Sequence, residues 1–341
     1  MMKVSWLVAG ITVLSAIMFG ATSCTSSIPV ETEELTRFEE TRTLMDTFFT
    51  ITVYASEEEK AREVINAAFN RMEEIEREAS IFDEQTEAFK LNQDGLLEKP
   101  SADFRQMINM SLDYSQITDG YFDITVQPLL ELWQAGLWQE SESVQQSRID
   151  ETLGLVGWDK IGIEDDRVFF TLDGMEITLG GIAKGYAVDE AFDVFINAGV
   201  EHALINAGGD MRMLGTKPQG EPWLVALVNP DDTNQSLAEF SISDKAIATS
   251  GNYERYFNPE KTAHHIINPK TGYSAAECIS TTVIAPSATM ADALATGIYV
   301  MGPEAGIALI ESLDDTECLI VDADRTVHLS SGLSRYLVSA S

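Results

Sequence analysis

The chain changes period abruptly near residue 56, and that change limits the folds open to it. LMDTFFTITVY (44–54) alternates side chains rich in β-branched and aromatic types, the period-2 signature of a strand. The next segment, SEEEKAREVINAAFNRMEEIERE (56–78), places Ala61, Val64, Ile65, Ala68, Phe69, Met72 and Ile75 at helical spacing. Its first turn is acidic, which suits the helix dipole. A strand that feeds a long amphipathic helix requires a sheet with helices packed on it. The alternation recurs downstream. A helix is expected from Ser101 to about Ile117, and RVFFTLDGMEITLGG (167–181) reads as a hairpin turning at Asp173-Gly174. KGYAVDEAFDVFINAG (184–199) reads as a helix stopping at Gly199, and SATMADALATGIYVMG (287–302) and PEAGIALIES (303–312) as two more. Residues 202–215, 222–229, 245–251 and 279–286 read as strands or strand-turn units. The fold class is α+β, and 341 residues suit one large domain or two intimately joined ones.

The first residues carry a different signal. Lys3 precedes an apolar run, VSWLVAGITVLSAIMFG, with the length of a signal-peptide core, and Ala21-Thr22-Ser23-Cys24 follows it. Small residues directly before a cysteine resemble the lipobox of bacterial lipoproteins. On that reading residues 1–23 are a signal peptide, Cys24 is lipidated, 24–40 form a flexible acidic tether, and 41–341 form the globular domain. The expected location is the bacterial cell envelope, facing the periplasm or extracytoplasmic side. An ordinary signal peptide or an uncleaved anchor remains the alternative. Cys278 and Cys318 read equally as a pair or as two buried thiols. No cysteine cluster suits structural zinc.

With 22 basic against 55 acidic side chains, the formal net charge is −33. That argues against binding a nucleic-acid backbone or an anionic lipid surface. It also repels phosphate-bearing ligands, so a site for one should recruit a cation.

Several segments could carry chemistry. In ITLGGIAKGYAVD (177–189) a strand-like run meets Gly180-Gly181 and a helix opens around Lys184; such an N-terminus presents free N–H groups to phosphate. It matches neither a Walker A loop nor a dinucleotide fingerprint. Asp292 and Thr296 lie four apart on an expected helix, one above the other, as a hard cation such as Mg²⁺ could use. Asn206-Ala207-Gly208-Gly209-Asp210 is a Gly-rich turn after a strand, either a ligand contact or a bulge. Thr118-Asp119-Gly120-Tyr121-Phe122-Asp123 puts aromatics and a carboxylate in a loop that could cover a flat ring. AHHIINPKTG (263–272) holds two of the four histidines. Each segment alone also reads as ordinary packing or turn structure.

Their order is more specific. MDT at 45–47, GYFDITVQPLLELW, LGGIAKGYAVD, INAGGD, IATSGNYERYF, HHIINPKTG and ADALATGIYVMG follow one another over roughly residues 40–335. This series resembles the FAD:protein FMN transferases of the ApbE family. The resemblance implies a single large domain of mixed sheets with flanking helices and the ligand site in a central cleft. It implies Mg²⁺-dependent transfer of FMN from FAD to a Ser or Thr hydroxyl on a subunit of a membrane redox complex, releasing AMP. Carried over, the metal ligands are Asp292, Thr296 and the carbonyl of Gly181. Lys184 contacts FAD; Met45, Phe82, Tyr121, Phe122 and Asp123 line the flavin or adenine, and Ile266 or Ile267 lies beside the ligand. His265 is the catalytic residue, assisting removal of the acceptor proton, and His264 is packing or solvated. The chain departs from the family pattern at Asp46, where Gly is usual, and at Thr178, Asn252 and Asn268, where Asp is preferred. An FAD pyrophosphatase and a non-enzymatic flavin-binding lipoprotein are the rival readings.

Overall fold

The computed structural model describes residues 34–338, so the candidate lipidation site Cys24 and its leader lie outside the described residues. Strands β1 (Thr36–Leu44) and β2 (Thr47–Ala55) form a hairpin. Its two turn residues, Met45 and Asp46, have φ of 47° and 59°. A two-residue turn needs that left-handed geometry, which Gly adopts freely and Asp tolerates. Residues 36–40, assigned above to the tether, are therefore strand. β1 is an edge strand on which only alternate residues are half-buried, so it carries too little apolar signal to be read in advance.

Helix α1 (Glu58–Ala79) buries the stripe read from its spacing. It is followed by α2 (Glu87–Asp94), β3 (Leu96–Glu98) and α3 (Ala102–Ile117), whose Ser101 cap accepts from Phe104 N–H at 3.0 Å. Helices α4 (Gln127–Gln134) and α5 (Glu142–Leu153) lead to strands β4 (Ile161–Glu164) and β5 (Arg167–Phe170). The hairpin expected at Asp173-Gly174 does not form. β5 pairs backwards with β4 and with β3, while 175–179 run as a buried extended segment outside any sheet. There the Asn92 side chain bonds both the N–H and the C=O of Ile177, doing what a partner strand was expected to do.

The remaining elements are α6 (Ala183–Asn197), β6 (Ala203–Ala207), β7 (Asp210–Leu214), β8 (Trp223–Asn229), β9 (Asp232–Ile242), β10 (Ala246–Gly251), β11 (Cys278–Ala285), α7 (Ala288–Met301), α8 (Pro303–Ile310), β12 (Glu317–Asp322) and β13 (Val327–Leu329). The main sheet runs β1-β2-β6-β7-β10-β11-β12-β13, antiparallel at every pairing. On one face, Phe49, Ile51, Ile205 and Ala207 pack against Phe69, Val188, Phe195, Leu294 and Ile298 of α1, α6 and α7. A fully buried Phe or Ile of this kind contributes about 1.5–3 kcal/mol. On the other face the β8–β9 ribbon buries Trp223, Val225, Phe240 and Ile242 against Ile247, Ile284 and Leu319. Cys278 and Cys318 are both buried and free; the register sets Cys318 opposite Val283 and Cys278 opposite Asp322.

A third apolar cluster positions the site. Leu129, Trp133 and Leu137, around α4, pack on Ala263 and Ile267. Trp133 Nε1 donates to the Gly272 carbonyl at 2.8 Å. The histidine-bearing loop is thereby fastened to the body of the domain.

Candidate active site

The strand-to-helix passage 179–183 closes into a tight turn, with Ala183 N–H bonded to the Leu179 carbonyl at 2.8 Å. A side chain at Gly181 would stand 3.2 Å from the Phe122 ring and 3.3 Å from Thr296 Oγ1. The first turn of α6 lies against the start of α7: a Cβ on Gly185 would come within 2.5 Å of the Ala288 carbonyl oxygen. This backbone contact lets Gly185 N–H donate to Asp292 Oδ2 at 3.0 Å. Gly181, Asp292 and Thr296, taken from sequence as a metal-binding set, therefore converge.

Around them sits a charge cluster. Lys184 is ion-paired with Asp210, and its Nζ lies 3.6 Å from Asp292 Oδ1. Both carboxylates are buried. Burial pushes the Asp292 carboxyl up to about 6; Lys184 opposes that shift and Asp210 adds to it. Two buried carboxylates sharing one ammonium leave the cluster short of positive charge. The described residues hold no group of three or more His, Cys, Asp or Glu arranged for a metal. What they offer is a carboxylate under desolvation strain, a hydroxyl one turn along and a nearby backbone carbonyl. That oxygen-only set fits Mg²⁺, which keeps few protein ligands and completes its shell with water and phosphate oxygens.

These groups line a cavity of about 760 Å³ whose walls also carry Met45, Phe82, Tyr121, Ile266, Ile267 and His265. Met45 N–H is held by Glu76 Oε1 at 2.6 Å. Phe82 is 78% exposed. Lys270 Nζ stands 3.8 Å from the centre of the Tyr121 ring and 2.8 Å from Asp119 Oδ2, joining the aromatic loop to the Lys-Thr-Gly turn. Phe122 and Asp123 reach the cavity wall but are committed to the protein. Phe122 is buried, edge-on to Tyr114 at 6.5 Å. Asp123 accepts from Thr125 N–H, Thr125 Oγ1 and Trp158 N–H at 2.8, 2.6 and 2.9 Å, so its carboxylate shapes the loop.

The paired histidines separate by environment. His264 is buried, edge-on to Tyr256 and Tyr299, with Nε2 2.9 Å from the Ala275 carbonyl and Nδ1 accepting from Ile266 N–H at 3.3 Å. It is a packing residue. His265 faces the cavity, with Nδ1 3.2 Å from the Arg255 carbonyl. A carbonyl can only accept, so Nδ1 carries the proton and Nε2 keeps its lone pair. Burial chiefly, joined by the nearby charges of His264, Arg255 and Lys184 and opposed by the bond to the Arg255 carbonyl, holds His265 down to about 4. A neutral imidazole with a free Nε2 is competent as a base.

Two departures from the family pattern have local explanations. Thr178 Oγ1 accepts from Gly180 N–H at 3.2 Å and Asn268 Oδ1 from Lys270 N–H at 2.9 Å. Both side chains hold their own turns, which Thr and Asn do as Asp does. Sequence reasoning passed over Asp210 and Arg255. Asp210 closes a Gly-Gly turn that reads as a bulge, and its only signal was a carboxylate at a strand start. Arg255 gave none beyond a charge in a loop.

A family model described as the ApbE family matches residues 45–320. The FAD:protein FMN transferase of Haemophilus influenzae is 29% identical over 279 residues, covering 78% of this chain and 80% of that protein. The Vibrio cholerae protein of the same name is 30% identical over 259 residues, covering 74% and 78%. Among solved structures, the ApbE protein of Thermotoga maritima superposes with a TM-score of 0.79 at 30% identity, covering 89% of this chain and all (100%) of that one. The flavin transferase ApbE of Vibrio cholerae gives 0.77 at 25%, with coverage of 89% and 100%.

Proposed function

The chain belongs to the ApbE family, and from that membership we propose that it transfers FMN from FAD to a Ser or Thr hydroxyl of a redox-protein subunit, releasing AMP. One observation carries the proposal: Lys184, the Asp210–Asp292 carboxylate pair, Thr296 and His265 line one cavity. A binding module has no use for a neutral, cavity-facing histidine in the same cavity as a carboxylate cluster short of positive charge.

His265 Nε2 takes the hydroxyl proton. The acceptor oxygen forms its bond to the flavin-side phosphorus as the bridging phosphorus–oxygen bond breaks, and the electron pair leaves on AMP. Lys184 and the N-terminus of α6 bind phosphate oxygens. Asp292, Thr296 and the Gly181 carbonyl would hold Mg²⁺, which supplies charge neutralisation for the pyrophosphate. Met45, Phe82 and Tyr121 flank the flat rings, and Ile266 and Ile267 close the wall beside them. Residues 1–24 support a lipid anchor at Cys24 on the extracytoplasmic side of a bacterial membrane, close to a membrane-bound acceptor.

The test uses residues 25–341, FAD, Mg²⁺ and a flavin-free acceptor domain, with the acceptor weighed as an intact chain. A gain of one esterified FMN, abolished by EDTA and by Asp292→Asn, is expected. AMP and free FMN without acceptor labelling would make the protein a pyrophosphatase instead.

A further inference from the structure

The cleft holds one cation that the reaction above leaves unassigned. Arg255 follows the short turn Asn252–Glu254 at the end of β10, and its side chain lines the same cavity as His265, Lys184 and Thr296. Several other cations of the domain are held by carboxylates: Lys184 by Asp210, Arg212 by Asp189, Arg71 by Asp103 and Glu190. Among the described residues no carboxylate pairs with the Arg255 guanidinium. Arg255 is exposed on the cavity wall, so its guanidinium is available to an anion that enters the cleft.

Its backbone is fixed to the catalytic loop. The Arg255 carbonyl accepts from both His265 N–H and His265 Nδ1–H, each at 3.2 Å. The next rungs are the Tyr256–His264 bridge and Phe257 N–H to the Ala263 carbonyl at 2.8 Å. Arginine and histidine thus ride on one short ladder, and the guanidinium is close enough to disfavour a proton on His265. Lys184, on the wall of the same cavity, is committed to Asp210 and Asp292. A pyrophosphate in the cleft presents two phosphates, and Lys184 alone, already shared by two carboxylates, is a weak match for both. The planar arginine fork suits two non-bridging oxygens of one phosphate.

Building on FMN transfer as the reaction, we propose that Arg255 is a catalytic residue whose guanidinium grips the flavin-side phosphate beside His265 and stabilises it during displacement. Atoms balance as before: the acceptor oxygen bonds phosphorus, AMP departs with the bridging electron pair, and the hydroxyl proton goes to His265. Arg255 adds no group and only meets the charge on the transferred phosphoryl oxygens.

The experiment compares wild type, Arg255→Gln and Arg255→Lys for AMP release from FAD with Mg²⁺ and a flavin-free acceptor domain. Binding of FAD and of riboflavin is followed by flavin fluorescence. Arg255→Gln should lower kcat at saturating FAD by roughly 100- to 1000-fold. It should also weaken FAD while leaving riboflavin binding unchanged, and Arg255→Lys should recover part of both. An unchanged kcat in Arg255→Gln, or equal loss of FAD and riboflavin binding, would overturn the assignment. Absence of AMP release by wild type would overturn the transfer reading itself, a result distinct from the other two.

Discussion

His264 and His265 are adjacent in sequence and opposite in consequence. Alternation along an extended segment sends one ring into the aromatic cluster with Tyr256 and Tyr299 and the other into the cleft. The held-down value of His265 makes a prediction with a definite sign. An unfolded histidine titrates near pH 6.5, whereas His265 in the fold is pulled to about 4 by burial, aided by His264, Arg255 and Lys184. Between those values the unfolded chain binds the extra proton. The stability that this group contributes is therefore complete above pH 6.5 and is lost as pH falls towards 4. Ring-proton NMR, assigned with His265→Asn, should show a midpoint well below 6.5; an ordinary midpoint would contradict the buried geometry. His265→Ala should keep FAD affinity and lose transfer by about 100-fold or more, the range of a removed general base. Loss of binding alone would show that the ring only lines the pocket.

At the scale of elements, the contact between α6 and α7 sets the cation cluster. Gly185 permits it, because the atoms its side chain would meet belong to the backbone of Ala288 and Thr289 and cannot swing aside. Gly185→Ala should cost about 1–3 kcal/mol in urea unfolding, the range for an overpacked core. Gly180→Ala, whose new carbon would meet only Thr178 Oγ1 at 3.4 Å, should cost far less. Equal losses would mean that helix contact is not the cause. Helices α1, α3, α6, α7 and α8 were readable from apolar residues at helical spacing or a glycine or proline at an end, whereas α2, α4 and α5 were not, α5 burying only Ile149. β1 was not, since an edge strand has no fully apolar face to advertise. The segment after Asp173-Gly174 misled for the reverse reason: Met175, Ile177 and Leu179 alternate as a strand does. Nothing in that pattern reveals that Asn92, 85 residues away, supplies the backbone partner.

For the whole molecule, the class and the order of conserved-type blocks were legible, while the meeting of those blocks was not. Asp210 joins Lys184 because α6 packs against β7, a contact that no local pattern announces. Anchoring belongs to this scale as well. Cys24→Ser should move the protein from the membrane to the soluble fraction with its transfer activity kept; continued membrane attachment would show that the apolar leader itself is the anchor. The cleft also has a consequence for how the enzyme comes into being. Its walls draw on residues from Met45 to Thr296, and the carboxylate and hydroxyl assigned to the cation are the last of them along the chain. A growing polypeptide released before α7 has the flavin-facing aromatics, Lys184 and Arg255, but lacks the carboxylate and hydroxyl proposed to hold the cation. With the cation site completed last, turnover should begin only when synthesis is nearly finished, and a prematurely ended chain should bind FAD without turning it over.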